Sequence, residues 1–327
     1  MRPFEYRRPA STGDAIAAAA EPGSAFLGGG TNLVDLMRLE VQAPVLLVDV
    51  QELPLAGIRE SDGGGLRIGA RETNSGIAAD PRVRASYPVL SQALLGGASP
   101  QLRNRATAAG NLLQRTRCPY FQDTTKPCNK RDPGSGCPAI EGEHRNLAIL
   151  GWSDRCVATH PSDMAVALVA LDAVVHLEAA GGARSVPVED LYRAPAAGPE
   201  QDTVLEQGEL ITAVELPPVP AAGCSSYRKA RERASYSFAL VSVAAALDLQ
   251  DGLVADVRLA LGGVAHRPWR ARLAERTLLG GPIDREHALR AANAELEQAR
   301  PLRDNGFKVA LARNLIARSL CDLAEAA

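Results

Sequence analysis

Four cysteines, Cys118, Cys128, Cys137 and Cys156, fall within 39 residues of a 327-residue chain that holds six. Nine, eight and eighteen residues separate them in turn. Zinc ribbons use close C-x2-C pairs and ferredoxins use tight runs, so neither pattern applies. Each thiol stands beside a chain-bending or basic residue. Arg117 and Pro119 flank Cys118, Pro127 and Asn129-Lys130 surround Cys128, Gly136 and Pro138 flank Cys137, and Arg155 precedes Cys156. Basic neighbours favour the thiolate, the form that ligates metal. Loops broken by Pro and Gly can gather sulfurs that no one helix or strand brings together. These residue types permit zinc, an iron–sulfur cluster or two disulfides. Cys224 and Cys321 lie far from the group and read as small apolar residues.

Two short loops have the composition of an anion site. Gly28-Gly29-Gly30-Thr31-Asn32 follows the apolar Ala25-Phe26-Leu27 and precedes Leu33-Val34-Asp35-Leu36-Met37, a strand–turn–helix pattern. Glycine there admits φ > 0 and lets a ligand approach the main chain. Successive backbone N–H groups suit a pyrophosphate. Neither the dinucleotide fingerprint G-x-G-x-x-G nor a P-loop is present, so ATP hydrolysis is not expected. The second loop is Thr107-Ala108-Ala109-Gly110-Asn111. Both loops run from glycine into Asn-Leu, at Asn32-Leu33 and Asn111-Leu112. Two such loops on separate subdomains could clamp one diphosphate; the plain alternative is a pair of flexible strand–helix turns.

The elements that must position these residues can be read from periodicity and turn chemistry. Ser11-Thr12-Gly13-Asp14 caps a helix ended by Pro22-Gly23. Pro44–Val50 is a continuous apolar run, expected to be a buried strand. Gly57–Glu60 and Gly65–Gly69 form a hairpin around Asp62-Gly63. Helices are expected at about Asn74–Ala79 and Arg82–Leu95. After the cysteines, Ser162–Asp172 is an apolar helix with Ser162 as N-cap; Ala173–Glu178 and Leu210–Leu216 are strands. Past the prolines of 217–223, strands at Ser225–Lys229, Leu240–Leu249 and Leu253–Leu261 precede three helices, with Asp251-Gly252 a hairpin signal. The fold class is therefore α+β. The domains expected are 1–55, 56–218 with the cysteine insertion at about 114–158, and 224–327, the last a three-stranded antiparallel sheet with a helical layer.

Bulk composition narrows the function. With 46% hydrophobic and 23% charged residues the chain is ordinary for a globular protein. A net charge of −2 gives no basic field for nucleic acid or an anionic membrane. No apolar run of membrane-spanning length occurs. Nor does the N-terminal stretch carry a signal-peptide core.

Taken together these motifs resemble, over nearly the whole chain, the FAD-binding (medium) subunit of molybdenum hydroxylases. The matching residues are Phe26–Leu33, Thr107–Leu112, His160-Pro161-Ser162-Asp163, Gly208-Glu209-Leu210-Ile211, Tyr227-Arg228-Lys229 and Ser237–Ala244. The cysteine insertion is similar to that of FAD subunits of periplasmic aldehyde oxidoreductases and of 4-hydroxybenzoyl-CoA reductase. Cys128–Cys137 most resembles the first. The resemblance implies a two-subdomain FAD-binding (PCMH-type) fold. It implies that Phe26, Leu27, Gly28, Gly29, Gly30, Thr31, Asn32 and Leu33, with Thr107, Ala108, Gly110 and Asn111, hold the FAD diphosphate. Asp163 would bond the cofactor's polar groups, and Ile211 and Lys229 would flank the isoalloxazine ring. Cys118, Cys128, Cys137 and Cys156 would ligate a [4Fe–4S] cluster.

No general acid–base pair stands out, so substrate chemistry is not expected in this chain. The resemblance implies a large subunit with a molybdenum cofactor that oxidises an aldehyde, and a small subunit with two [2Fe–2S] clusters. Electrons would pass through FAD here to a small-molecule acceptor. The chain is expected in the cytoplasm, or in the periplasm by co-export with a signal-bearing partner. Two alternatives remain: the flavin subunit of a hydroxybenzoyl-CoA reductase type enzyme, and a non-redox nucleotide-binding module with a structural zinc loop.

Overall fold

The computed structural model describes residues 1–326 and arranges them around three β-sheets. The apolar run at 44–50 yields Leu46–Asp49, the central strand of a parallel sheet between Glu5–Arg7 and Ser24–Leu27. All four of its residues are buried, as expected for a strand paired on both sides and covered by a helix. That helix is Thr12–Ala19. Ser11 caps it by accepting from the Asp14 amide.

The second sheet has five antiparallel strands in the order Ile58–Glu60, Leu66–Gly69, Leu210–Leu216, Val174–Ala179, Gly182–Pro187. Leu66–Gly69 pairs directly with Leu210–Leu216, but about 100 residues, 70–173, leave the sheet before the chain re-enters it at Val174. The helices, the second glycine loop and all four clustered cysteines lie in that excursion. A single helix over 82–95 does not form. It splits into Pro81–Ser86 and Pro88–Gly96, with Tyr87 between them at φ −139°, ψ 53°. Pro88 forces the residue before it out of the helical region and has no N–H to continue the ladder.

In the C-terminal part, Val241–Gln250 and Leu253–Gly262 are joined through Asp251 and Gly252, both with positive φ (52° and 78°). Ser225–Ala230 lies on one side of the pair. On the other is a strand of two residues, Trp269–Arg270, beyond the three expected. Two residues are too few to show an alternating pattern. Three helices, Arg272–Leu278, Arg285–Leu296 and Phe307–Ala324, accompany this sheet.

Between the second and third sheets lies the helix Asp163–Ala170, seven of whose eight residues are fully buried. Burying side chains such as Leu168 and Val169 stabilises the fold by about 1.5–3 kcal/mol each. Ser162 caps its first turn by accepting from the Ala165 amide. The Arg270 guanidinium meets its last turn, donating to the Val169 carbonyl at 2.6 Å. A helix fixed at both ends holds Asp163 still. Among the described residues no helix is long and apolar enough to cross a membrane.

Candidate functional site

The two glycine loops touch. A methyl built on Gly28 would stand 3.0 Å from the Thr107 hydroxyl, and one on Gly29 would collide with the Arg105 carbonyl. Gly30 takes φ +75°, the left-handed conformation that favours glycine. Thr107 caps the turn Ala108–Leu112 by accepting from the Gly110 amide. A side chain on Gly29 would therefore separate the loops, since it meets backbone, while one on Gly28 would press on the Thr107 hydroxyl.

Around this junction lie two cavities that share part of their lining and are together termed the cleft. The first, about 330 Å³, is lined by Asn74, Asn111, Arg117, Asp163 and Lys229 among others. The second, about 290 Å³, is lined by Phe26, Gly28, Gly29, Leu33 and Thr107. Thr31, Asn32 and Gly110 line both, so the glycine loops are the waist of the cleft. An elongated dinucleotide, with its diphosphate at the waist, suits that shape.

Polar groups at the waist are poised. Asn32 accepts from the Arg115 amide at 2.8 Å, while its Nδ2 is buried without a partner. Asn111 accepts from the Ser162 hydroxyl at 2.6 Å, tying the second loop to the start of the Asp163 helix. Asn74 is 3% exposed, lines the first cavity, and its Oδ1 has no partner. A buried carboxamide left unpaired is costly unless a ligand satisfies it. Sequence reasoning missed Asn74 because only tertiary pairing brings it here: its amide donates to the Ala106 carbonyl beside the second loop.

Several expected residues sit elsewhere. Ile211 is 2% exposed and packs in the core of the second sheet; it lines neither cavity. As alternate residues of a strand face opposite ways, its side chain belongs to the buried face. Ala108, 1% exposed, likewise points into the core, and Leu27 lines neither cavity. Asp163 lines the first cavity, but both carboxylate oxygens are engaged within the chain. One accepts from the Tyr227 hydroxyl at 2.5 Å and the other from the Lys229 ammonium at 2.7 Å.

Cys118, Cys128, Cys137 and Cys156 line one small pocket together. All six cysteines are free. Among the described residues no group of three or more His, Cys, Asp or Glu side chains is arranged to hold a metal ion. Burial pushes the Cys118 thiol up to about 12 and Cys156 up to about 11, and raises Cys137 as well. Backbone N–H groups oppose that rise, Phe121 and Tyr120 at Cys118, and Val157, Ala139 and Ile140 at Cys137; at Cys156 the Lys130 ammonium opposes it first and the Ala158 amide second. Cys224 and Cys321 pack against the C-terminal core.

The insertion is held in place largely by polar bonds. His144, 1% exposed, faces the Ala139 carbonyl through Nδ1 at 3.1 Å and the Asp304 amide through Nε2 at 3.0 Å. The carbonyl accepts and the amide donates, so Nδ1 carries the proton. Trp152 donates to the Arg300 carbonyl at 2.7 Å. Between Cys128 and Cys137, the buried Lys130 donates to the Pro199 carbonyl at 2.8 Å and pairs with Asp202, which Arg115 also meets. Burial pushes the Asp202 carboxyl up, but Lys130 and Arg115 outweigh it and leave it below the usual carboxylate value. With its folded value depressed, Asp202 contributes stability above the unfolded carboxylate pKa, about 3.9, that is lost as pH falls through the folded value. Lys130→Met is expected to cost on the order of 1–3 kcal/mol near neutral pH, less than an isolated buried pair because Arg115 remains. Thermal melts at neutral pH check this; an unchanged midpoint would show the pair to be dispensable.

Residues 2–219 match the family described as the FAD binding domain in molybdopterin dehydrogenase. Residues 225–323 match the CO dehydrogenase flavoprotein C-terminal domain. The chain belongs to the family of FAD-binding medium subunits of molybdenum hydroxylases, and is thus a subunit of an oxidoreductase. It is 51% identical over 324 residues, 98% of each chain, to the aldehyde oxidoreductase FAD-binding subunit PaoB of Escherichia coli K12. It is 27% identical to the carbon monoxide dehydrogenase medium chain of Hydrogenophaga pseudoflava, covering 97% of this chain and 96% of the other. Quinoline 2-oxidoreductase from Pseudomonas putida 86 superposes with a TM-score of 0.77 at 26% identity, over 99% of this chain and 98% of that one.

Proposed function

We propose that this chain is the FAD- and [4Fe–4S]-carrying electron-transfer subunit of a molybdenum-dependent aldehyde oxidoreductase. The observation that carries the redox reading is the gathering of four thiols in one pocket immediately beside the cleft. Arg117 lines the first cavity and the next residue, Cys118, lines the cysteine pocket. The aldehyde assignment rests on the relative that shares half its residues over nearly its full length.

The cleft fits FAD. Its waist offers close backbone approach at Gly29, a left-handed Gly30 and the unpaired Asn32 amide. Its first cavity offers the unpaired Asn74 carboxamide and the Lys229 ammonium. FAD, when bound, accepts electrons singly and passes them to an acceptor. Residues of the chain orient it, shield it and set its charge environment. Ile211, Leu27 and Ala108 support the loops from behind rather than touching the cofactor.

The cysteine pocket fits a cluster better than a single ion. One ion needs its donors at bond distance from one point, and among the described residues no group of three or more His, Cys, Asp or Glu side chains meets that condition. A multi-iron cluster spreads its four thiolates over separate corners. Amides aimed at the sulfurs stabilise thiolates and tune such a cluster's potential.

In the same reading a large subunit with a molybdenum cofactor oxidises the aldehyde, and a small subunit with two [2Fe–2S] clusters feeds electrons to this chain. A small molecule is the final acceptor. The three parts 1–55, 56–218 and 224–327 divide the work between holding the diphosphate, holding the flavin and cluster, and closing the cleft. The compartment is the cytoplasm, or the periplasm by co-export.

The test is a visible spectrum with metal analysis. The purified chain is expected to be yellow-brown, to bleach with dithionite, and to contain iron, sulfide and FAD. A colourless, zinc-containing protein would overturn the reading. Aldehyde turnover is expected upon co-expression with molybdenum and [2Fe–2S] subunits, and the isolated chain is expected to have none. Robust oxidation by the isolated chain would contradict the division of labour.

A further inference from the structure

Three residues from two elements form a buried chain of hydrogen bonds at the wall of the first cavity. Tyr227 and Lys229 are alternate residues of the strand Ser225–Ala230, and Asp163 opens the helix Asp163–Ala170. Alternation puts the two strand side chains on one face, directed at the same carboxylate. The Tyr227 hydroxyl donates to one oxygen of Asp163 at 2.5 Å, and the Lys229 ammonium donates to the other at 2.7 Å. The Lys229 and Asp163 side chains are 6% and 10% exposed, so the pair is nearly dry.

An ammonium has three N–H donors. One is held by Asp163 and a second by the Gly96 carbonyl at 3.2 Å. The third is left for whatever occupies the cavity, whose wall includes Lys229. Asp163 has an internal donor on each oxygen, and one of these bonds holds Lys229 in place. Tyr227 in turn holds Asp163. Burial, and then the neighbouring carboxylate, raise the Tyr227 phenol well above its ordinary value, which keeps it protonated and a donor. Its ring is fixed from the other side: Gly96 packs against it, and its backbone amide donates to the Gln92 side chain at 2.8 Å.

We propose that Tyr227 is a positioning residue for the flavin site, holding the Asp163 carboxylate so that the Lys229 ammonium stabilises the reduced, more negative form of the cofactor. The proposal rests on the reading of the first cavity as the flavin end of the cleft. A donated hydrogen bond withdraws charge from the carboxylate. Lys229 is then less fully neutralised by Asp163, and its field reaches the cavity. Without the hydroxyl, the carboxylate pairs more tightly with Lys229 and screens it. Reduced flavin loses stabilisation that oxidised flavin hardly feels.

The experiment measures the flavin midpoint potential by spectroelectrochemistry in the full chain carrying FAD, for Tyr227→Phe, Lys229→Met and the unaltered protein. Tyr227→Phe keeps the ring and its packing, so a purely structural role leaves the potential where it was. The expected result is a fall for both variants, larger for Lys229→Met. Tenfold weaker preference for reduced over oxidised flavin corresponds to about 30 mV for a two-electron couple, and a fall of that order is expected for Tyr227→Phe. An unchanged potential in Tyr227→Phe beside a lowered one in Lys229→Met overturns the proposal alone. Unchanged potentials in both overturn the flavin reading of the cavity, and the proposal with it. Should Tyr227→Phe fail to retain FAD, Asp163→Glu takes its place, since the longer arm keeps the charge and breaks the geometry with Tyr227. A potential unchanged in that variant is equally fatal.

Discussion

Replacing Cys118, Cys128, Cys137 or Cys156 with Ser, one at a time, is expected to remove most of the iron and sulfide bound per chain, while Cys224→Ser and Cys321→Ser leave both unchanged. The four line one pocket, and the other two pack against the C-terminal core. Cys118 and Cys156 are each 6% exposed, and burial raises both thiols, at Cys156 against the opposing charge of Lys130. In the proposed reading iron would add positive charge beside the sulfurs, and ligation would become folding energy for the loop, on the order of several kcal/mol. The insertion has a core of its own, Phe121, Leu147, Val157 and Ala158 with Leu36, but a small one. Cluster loss is therefore expected to loosen residues 114–158 to proteolysis without unfolding the three sheets. Because Lys130 and His144 still anchor the insertion, cleavage should fall between those anchors first. Full iron in Cys128→Ser and Cys137→Ser would remove the cluster from the reading.

How much of this was legible without coordinates depends on the range over which each signal acts. The strand within 44–50, the Asp251-Gly252 turn and the Ser162 cap follow from neighbours in sequence, and they form as expected. Pro88 also carried a local message: it divides the helix over 82–95. The glycine loops were legible as loops, but their contact was not. That Gly29 packs on the Arg105 backbone is a fact about residues 76 positions apart. Asn74 was invisible for the same reason. Ile211 was picked by motif, which does not say which face of a strand a residue occupies; its burial puts its side chain in the core. Asp163 was expected at the cofactor and lines the first cavity. Only geometry shows that Tyr227 and Lys229 take both its oxygens.

Gly29→Val is expected to yield protein that folds but binds FAD on the order of 100-fold more weakly or worse, a loss of about 2.7 kcal/mol. The reason is close approach rather than backbone handedness, since Gly30, not Gly29, takes the positive φ. A Cβ at Gly29 would stand 2.8 Å from the Arg105 carbonyl carbon and closer still to its oxygen. Backbone cannot rotate aside as a side chain does, so the first loop must lift off the second. Overpacking of this kind typically costs 1–3 kcal/mol. Here the strain is relieved by opening the waist of the cleft, where Thr31, Asn32 and Gly110 belong to both cavities. A diphosphate clamped between two loops loses one of them. Gly110→Val is expected to act through a different contact, since its Cβ would lie 3.0 Å from the Thr107 hydroxyl that caps the following turn. That oxygen can shift, so some FAD should remain. Gly63→Ala serves as the control, for no atom lies within 4 Å of its added methyl. FAD per chain, read from the flavin absorbance of each purified variant, should therefore rank Gly63→Ala near full, Gly110→Val intermediate and Gly29→Val lowest. Full FAD in Gly29→Val would mean that the diphosphate does not sit where the two loops meet.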